Sequence, residues 1–307
     1  MRVCLAILIG VATCCPAFAQ QADQRKGADR KKPAPFRWIN ALPKNLPSTV
    51  RHETFHSESN GAEVGYAIYL PPGYESEENR NRRYPVVYAL HGGRPGSEAK
   101  AVRLAVPIDR HIRSGEVPAM IYVFPNGGRL SHYDHGRFKG EQAFLELIDH
   151  VDQNYRTVAD RTGRAVEGFS QGGRGTGRYM FKHADLFCSA APMGGGHQHE
   201  KRISESDGVE SASVTIEPAT NNTWDLARRF AQSDHPDLQI LIVVGDEDFN
   251  HEANVDWHQH LTSLGIESRL MVLPGVKHSA MAVYEKIGPT IMNFHAGRFR
   301  EHGHIDE

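Results

Sequence analysis

The pentapeptide G-F-S-Q-G at residues 168–172 constrains the fold of this chain more than any other segment. It has the pattern G-x-S-x-G, and it lies between the apolar-flanked run at 164–167 and a glycine-rich stretch at 173–176 that can open a helix. A strand, a sharp turn and a helix in this order project a serine hydroxyl from the backbone. Glycines suit both ends of the turn because larger side chains would collide there. We therefore predict that Ser170 is a nucleophile and not part of an ordinary glycine-rich turn.

A nucleophilic serine needs a histidine and an acid, each placed on a loop after a strand. The β-branched run at 238–244 predicts a strand covered on both faces, and the loop behind it contains Asp246 and Asp248. The run at 268–273 predicts the next strand, and His278 lies in the loop that follows. We predict His278 as the general base and favour Asp248 as its acid, because the loop needs length before a carboxylate reaches the imidazole. Asp246 stays an alternative acid, its other role being to bind backbone amides of the turn.

Acyl transfer also needs hydrogen-bond donors for the oxygen that becomes negative in the tetrahedral intermediate. One predicted donor is the amide of Gln171, directly after the nucleophile. The other is the amide of Gly93, in the loop behind a strand predicted at 84–90. The simpler interpretation is that residues 91–93 form only a flexible turn.

Strand and helix patterns alternate along the chain and predict an α/β-hydrolase fold, with a mostly parallel central sheet and helices on both faces. Strands near residues 51–56 and 63–70 form the predicted antiparallel start, and another strand is predicted at 187–192. Helices are predicted around residues 141–154, 173–183, 224–232, 252–264 and 279–295.

Six segments together resemble the esterase D or "putative esterase" family of α/β-hydrolases, which includes carbohydrate esterase family 1. These segments are residues 70–74, 84–93, 154–161, 168–173, 245–248 and 275–278. The resemblance implies a serine esterase with Ser170, Asp248 and His278 as its triad and with no cofactor. It also implies a small-molecule or polysaccharide ester as substrate, with feruloyl or acetyl esters of carbohydrates favoured. An acyltransferase, or an esterase for siderophore or other small esters, is the alternative on the same scaffold.

Two features depart from the family pattern. Glu167 replaces a small apolar residue, and because an unpaired buried carboxylate is unfavourable we expect Arg164, Arg174 or another donor beside it. The stretch at 194–222 is unlike the compact version of the fold and could form a lid. Loops over the carboxyl edge of such a sheet set substrate choice, so three side chains are predicted to bind substrate. They are His91, Tyr133 and His197.

Two other interpretations of the sequence are weaker. The first is a catalytic metal site, built from the pair His197 and His199 with His132, Asp134 or His135. No H-E-x-x-H signature or comparable motif is present, so we expect no metal. The second is a noncatalytic binding protein on a hydrolase scaffold, which the complete set of triad residues disfavours.

The N-terminus predicts export. A short basic start, an apolar core and a small-residue Ala-Phe-Ala site predict a signal peptide at 1–19 and a periplasmic or secreted protein; lipid attachment at Cys14 or Cys15 is the minor alternative. Residues 20–35 are basic and predicted to be a disordered leader. The catalytic domain is predicted at 36–300, with a tail at 301–307. A net charge of −2 favours no nucleic-acid partner, no membrane segment is expected after signal removal, and no oligomeric state is predicted.

Overall fold

A computed structural model describes residues 35–211 and 214–306. The strands are β1 (Val50–Ser57), β2 (Ala62–Tyr69), β3 (Val86–Leu90), β4 (Ile121–Pro125), β5 (Asp134–His135), β6 (Phe138–Lys139), β7 (Arg164–Phe169), β8 (Ser189–Met193), β9 (Val209–Ser211), β10 (Val214–Thr215), β11 (Gln239–Gly245) and β12 (Arg269–Leu273). The helices are α1 (Ala105–Arg113), α2 (Gly140–Asn154), α3 (Gln171–Lys182), α4 (His197–Glu205), α5 (Thr223–Ala231), α6 (His251–Ser263) and α7 (Ala280–Glu301).

The central sheet has eight strands in the order β1-β2-β4-β3-β7-β8-β11-β12. The first strand pairs antiparallel with β2, and β2 pairs antiparallel with β4. Every later pairing in the sheet is parallel. The predicted α/β-hydrolase fold with an antiparallel start is therefore confirmed. Parallel strands end at the same edge of the sheet, so the loops behind β3, β7, β11 and β12 lie close to one another.

Two apolar cores lie on the two faces of the sheet. Along β3 the side chains alternate: Val86, Tyr88 and Leu90 belong to one core, whereas Val87 and Ala89 belong to the other. The first core also contains apolar residues of α2, α3, α5 and α6, and the second contains those of α1 and α7. Because both faces are covered, the inner strands β3 and β11 are almost entirely apolar, which is the pattern that predicted them from the sequence.

All five predicted helices are confirmed, with ends that differ by a few residues. The longest, α7, runs to Glu301 and so extends past its predicted end at residue 295. It is kinked, because the Ile287 backbone is non-helical and Pro289 has no amide hydrogen to donate to the preceding turn of the helix. Beyond it Ile305 is buried against the second core. No helix within the described ranges has the length and apolar character to cross a membrane, and the predicted signal peptide and leader lie outside those ranges.

Candidate active site

Ser170 occupies a strained turn between β7 and α3. Its backbone has φ 61° and ψ −113°, a region that non-glycine residues rarely adopt. The turn is held on both sides, because the Ser170 amide donates to the Met193 carbonyl at 2.9 Å and the Arg174 amide donates to the Ser170 carbonyl at 3.0 Å. The hydroxyl therefore projects from a fixed point at the carboxyl edge of the sheet.

The two outer glycines of the pentapeptide are required by close backbone contacts. A Cβ atom on Gly172 would lie 2.2 Å from the Leu90 carbonyl oxygen. A Cβ atom on Gly168 would lie 2.6 Å from the backbone of Gly172. The neighbouring atoms belong to the main chain and cannot rotate away. The tight strand-to-helix reversal expected from the sequence is thus present, and it depends on both glycines.

Three side chains meet at this edge from three different loops. The Ser170 hydroxyl lies 2.9 Å from Nε2 of His278. On the other side of the ring, Nδ1 of His278 lies 2.8 Å from each carboxylate oxygen of Asp248. The carboxylate is buried, and Oδ1 also accepts the Asn250 amide at 2.8 Å. Asp246 does not reach the histidine; its Oδ1 accepts the Gly275 amide at 2.7 Å, as the alternative interpretation expected.

Two aromatic rings contact the His278 imidazole. The Phe169 ring, which is buried, has its centroid 4.6 Å from that of the imidazole. The Phe249 ring is closer, at 4.0 Å, and is 77% exposed. Sequence reasoning missed Phe249. The available signal was an aromatic residue directly after the acid in a loop that is otherwise polar.

The loop behind β3 lies directly against Ser170. A Cβ atom on Gly92 would lie 3.0 Å from the Phe169 carbonyl oxygen and 3.2 Å from Cβ of Ser170, so a larger residue would crowd this approach. The next residue, Gly93, has φ +69°, and its carbonyl accepts the Ser131 hydroxyl at 2.6 Å. Gln171 is the first residue of α3, where amides have no partner within the helix. Gln171 thus follows Ser170 directly, and Gly93 follows the glycine that contacts Ser170; their roles as oxyanion donors stay a prediction.

His91 holds this loop in place from the inside. Its Nε2 accepts the Gly127 amide at 3.0 Å and the Ser97 amide at 3.3 Å, and its Nδ1 donates to the Gly92 carbonyl at 3.2 Å. Burial lowers the pKa of His91 to about 3, so the ring is neutral. The side chain is 1% exposed and both nitrogens are engaged, so its predicted contact with substrate stays a prediction. His91 supports the loop backbone.

Tyr133 and His197 are also interior side chains. The Tyr133 hydroxyl donates to Glu200, and the Arg178 guanidinium lies 3.5 Å from the centre of its ring. His197 stacks on Trp257 with ring centroids 3.9 Å apart, and burial next to the Arg174 cation lowers its pKa to about 3. Both side chains are packed inside the domain, so their predicted contact with substrate stays a prediction.

The segment at 194–222 forms α4 and the β9–β10 hairpin. This hairpin is joined to the loop behind β3, since Nη2 of Arg94 lies 3.1 Å from Oε1 of Glu210. Arg174 of α3 lies 3.6 Å from the same carboxylate oxygen. The hairpin is therefore attached by charge pairs to the loop behind β3 and to α3, the helix that begins directly after Ser170.

The residues considered for a metal site are not brought together. Among the residues that the structure describes, no group of three or more histidine, cysteine, aspartate or glutamate side chains could hold an ion. His132 is buried, and its Nε2 donates to the His91 carbonyl at 2.9 Å. The histidines of this region therefore brace loops.

Glu167 finds partners other than the two arginines first expected. Its carboxylate accepts the Tyr284 hydroxyl and lies 3.5 Å from Nε2 of His295, and all three side chains are fully buried. Arg164 pairs with Asp152, whereas Arg174 donates to the Gln171 side chain at 2.6 Å. The expectation of Arg164, Arg174 or another donor is therefore met by Tyr284, because strand alternation points Glu167 at α7 and away from the two arginines.

A surface cleft of about 980 Å³ lies elsewhere, near the amino ends of β11 and β12. Its walls include Phe230, Leu238, Ile266, Arg269 and Phe294. Ser170 and its partners lie at the carboxyl ends of the same parallel strands, where α/β sheets bind their ligands. This cleft is therefore separate from the candidate active site.

A comparison with known protein families agrees with this fold and with the geometry around Ser170. The family described as "Putative esterase" matches residues 57–280. The chain belongs to this family. The matched range includes Ser170, Asp248 and His278, so the resemblance inferred from six short segments is confirmed for most of the domain.

Several known proteins resemble this esterase-family chain. An esterase of Mycobacterium tuberculosis is 31% identical over 149 residues, which are 46% of this chain and 31% of the relative. An endo-1,4-beta-xylanase/feruloyl esterase of Xylanibacter ruminicola is 28% identical over 170 residues, 52% of this chain and 23% of the relative. The chain thus spans less than a third of the length of either relative. A solved ferulic acid esterase is 26% identical with a TM-score of 0.69, covering 83% of this chain and 100% of its own.

Proposed function

We propose that this chain is a serine carboxylic-ester hydrolase that works through Ser170, His278 and Asp248. The observation that carries the proposal is the continuous contact from the Ser170 hydroxyl through the imidazole to the buried Asp248 carboxylate, at 2.9 Å and 2.8 Å. An isolated serine hydroxyl is a weak nucleophile, and a hydrogen-bonded base is what activates it. Membership in an esterase family supports the same chemistry.

In the first half of the reaction, the Ser170 oxygen attacks the ester carbonyl carbon while Nε2 of His278 accepts the hydroxyl proton. Asp248 keeps the Nδ1 proton facing itself and stabilises the imidazolium that forms. The amides of Gly93 and Gln171 donate to the carbonyl oxygen as it becomes negative. When the intermediate collapses, the bond to the alcohol oxygen breaks, and His278 returns its proton to that alcohol.

The second half of the reaction repeats these roles with water. His278 removes a proton from a water molecule, whose oxygen attacks the acyl carbon attached to Ser170. The serine then leaves and regains its proton from the imidazolium. The products are one carboxylic acid and one alcohol, and no cofactor takes part in the proposed steps.

The substrate we propose is a feruloyl or acetyl ester of a carbohydrate. Two of the similar proteins are described as a ferulic acid esterase and a xylanase/feruloyl esterase. The predicted signal peptide at 1–19 supports an extracellular or periplasmic site of action, where polysaccharide esters occur and the cytosolic thiol ester S-formylglutathione does not. The proposed arrangement is a leader at 20–35, a catalytic domain at 36–300 and a tail at 301–307.

A side-by-side assay tests this proposal. The substrates are feruloylated and acetylated xylan, methyl ferulate, p-nitrophenyl acyl esters and a siderophore ester, each with the wild type and Ser170→Ala. We expect release of ferulate or acetate that disappears in Ser170→Ala and survives in Ser263→Ala, a matched change at an exposed serine near the end of α6. Full activity in Ser170→Ala would overturn the mechanism. Activity confined to the siderophore ester would overturn the proposed substrate.

A further inference from the structure

Phe249 is the most exposed of the large apolar side chains in the described part of the chain. It is 77% exposed, whereas the next four, Ile39, Val106, Val209 and Val272, are 39–49% exposed. A single apolar residue on a surface is ordinary and by itself has no functional meaning. The position of Phe249 is what distinguishes it, since its ring lies on the imidazole of His278 at a centroid distance of 4.0 Å.

The backbone on both sides of Phe249 is fixed by hydrogen bonds. The Asn250 amide donates to the Asp248 carboxylate at 2.8 Å, and the His251 amide donates to the Asp248 carbonyl at 2.9 Å. The Asn250 side chain donates to the Gly194 carbonyl at 2.9 Å. Phe249 is thus held in solvent by the same turn that positions the acid. A preorganised exposed ring loses little freedom when it binds a ligand.

The contact with His278 places the ring on one particular side of the substrate. In the proposed mechanism Nε2 must reach the leaving oxygen of the ester to return its proton. The alcohol part of the substrate therefore lies beside the imidazole, and the acyl part lies toward the oxyanion donors. A ring that packs on the imidazole borders the alcohol side.

Sugar rings and aromatic faces are chemically complementary. A pyranose or furanose ring presents C–H groups with partial positive charge on one face, and an aromatic ring has a negative face. The hydroxyl groups of the sugar remain in solvent, which suits an open position such as this one. We propose that Phe249 is a sugar-binding platform for the alcohol part of the ester. This inference rests on the proposed esterase function and adds the residue that recognises its carbohydrate.

Two esters with the same acyl group and different alcohols test the platform. They are methyl ferulate and a feruloylated arabinoxylan oligosaccharide, compared by kcat/KM. We expect Phe249→Ala to lower the ratio of kcat/KM for the oligosaccharide to that for methyl ferulate by about tenfold, the size of one lost aromatic contact. Phe249→Trp keeps the ratio within about twofold, because the aromatic face is retained. Val106→Ala, a matched change at an exposed apolar residue of α1, leaves both constants unchanged.

The possible results distinguish a failure of the sugar platform from a failure of the proposed esterase function. A role of Phe249 only in positioning His278 would lower kcat for both esters by the same factor, and the unchanged ratio would overturn the platform while leaving the esterase mechanism intact. An unchanged ratio with unchanged rates would overturn it as well. Hydrolysis that does not depend on Ser170 would overturn the proposed function and, with it, the platform.

Discussion

The Arg94 guanidinium lies 3.1 Å from the Glu210 carboxylate, so the loop that supplies the proposed Gly93 donor is tied to the β9–β10 hairpin. We expect Arg94→Gln to lower kcat about tenfold with a smaller change in KM, because small displacements of a donor weaken transition-state binding. Glu210→Gln should have a similar effect, and the double variant should lose less than the product of the two single losses. Steady-state kinetics on methyl ferulate measures all three. Unchanged kcat in both single variants would contradict this link.

Gly172 offers a test of the turn at the nucleophile. A Cβ atom there would lie 2.2 Å from the Leu90 carbonyl oxygen, so Gly172→Ala should destabilise the domain by about 3 kcal/mol. Gly297 in α7 is the matched control, because a Cβ atom there has no neighbour within 4 Å. Gly297→Ala should be neutral or stabilising by up to about 1 kcal/mol. Urea unfolding of the two variants gives both values, and equal stability would show that the turn is not tightly packed.

Most strands and helices could be predicted because their physical cause is local, although β4 and α1 were not predicted. Residues 238–244 form an apolar run that only a doubly covered strand explains, and β11 lies there. Helix α4 was missed because its sequence is polar overall; only a few of its residues, including His197 and Ile203, are buried. Their partners are distant in sequence, as Trp257 is for His197. The sequence alone does not show which polar segment will pack against such distant residues.

The buried histidines predict how stability depends on pH. Burial lowers the pKa of His91 and of His197 from 6.5 to about 3. As pH falls below about 6.5, the unfolded chain binds protons that the folded protein does not, so stability is lost progressively toward about pH 3. His197→Phe and His197→Gln each remove one such group. Both should reduce the slope of unfolding free energy against pH by up to about 1.4 kcal/mol per unit.

Urea unfolding at steps between about pH 7 and about pH 4.5 measures that slope. The two variants will differ in stability, because only phenylalanine keeps the aromatic stacking on Trp257. They should nevertheless show the same reduced slope. A slope equal to that of the wild type in both would mean that His197 has the same pKa in the folded protein as in the unfolded chain.

Tyr284 should be important because it is the hydrogen-bond donor to a fully buried carboxylate. Tyr284→Phe leaves Glu167 without that bond and should destabilise the domain by about 2 kcal/mol. In the double variant Tyr284→Phe with Glu167→Leu, the charge that needs the donor is also absent. The double variant should therefore lose less than the sum of the two single changes. Thermal or urea unfolding decides this, and strictly additive losses would contradict a direct contact.

The candidate site was partly accessible from sequence. Ser170, Asp248 and His278 follow strands of a recognisable fold, so their order and spacing place them at one sheet edge. The burial of the three side chains predicted to bind substrate could not be predicted, since it depends on how the loops and α4 pack in three dimensions. Phe249 was overlooked for the converse reason. An aromatic residue in a sequence usually indicates a core position. Only the structure shows that the Phe249 ring is exposed to solvent while it contacts the imidazole of His278.

The most direct test of the central claim is to map where a serine-directed fluorophosphonate reacts, by mass spectrometry of peptides from the wild type, Ser170→Ala and His278→Ala. The contact of Ser170 with His278 at 2.9 Å predicts a single adduct on Ser170 in the wild type and none in Ser170→Ala. Labelling of His278→Ala should be slower by about 1,000-fold or more, because the base is gone. An adduct at another residue, or equal labelling rates with and without His278, would contradict the proposed catalytic triad.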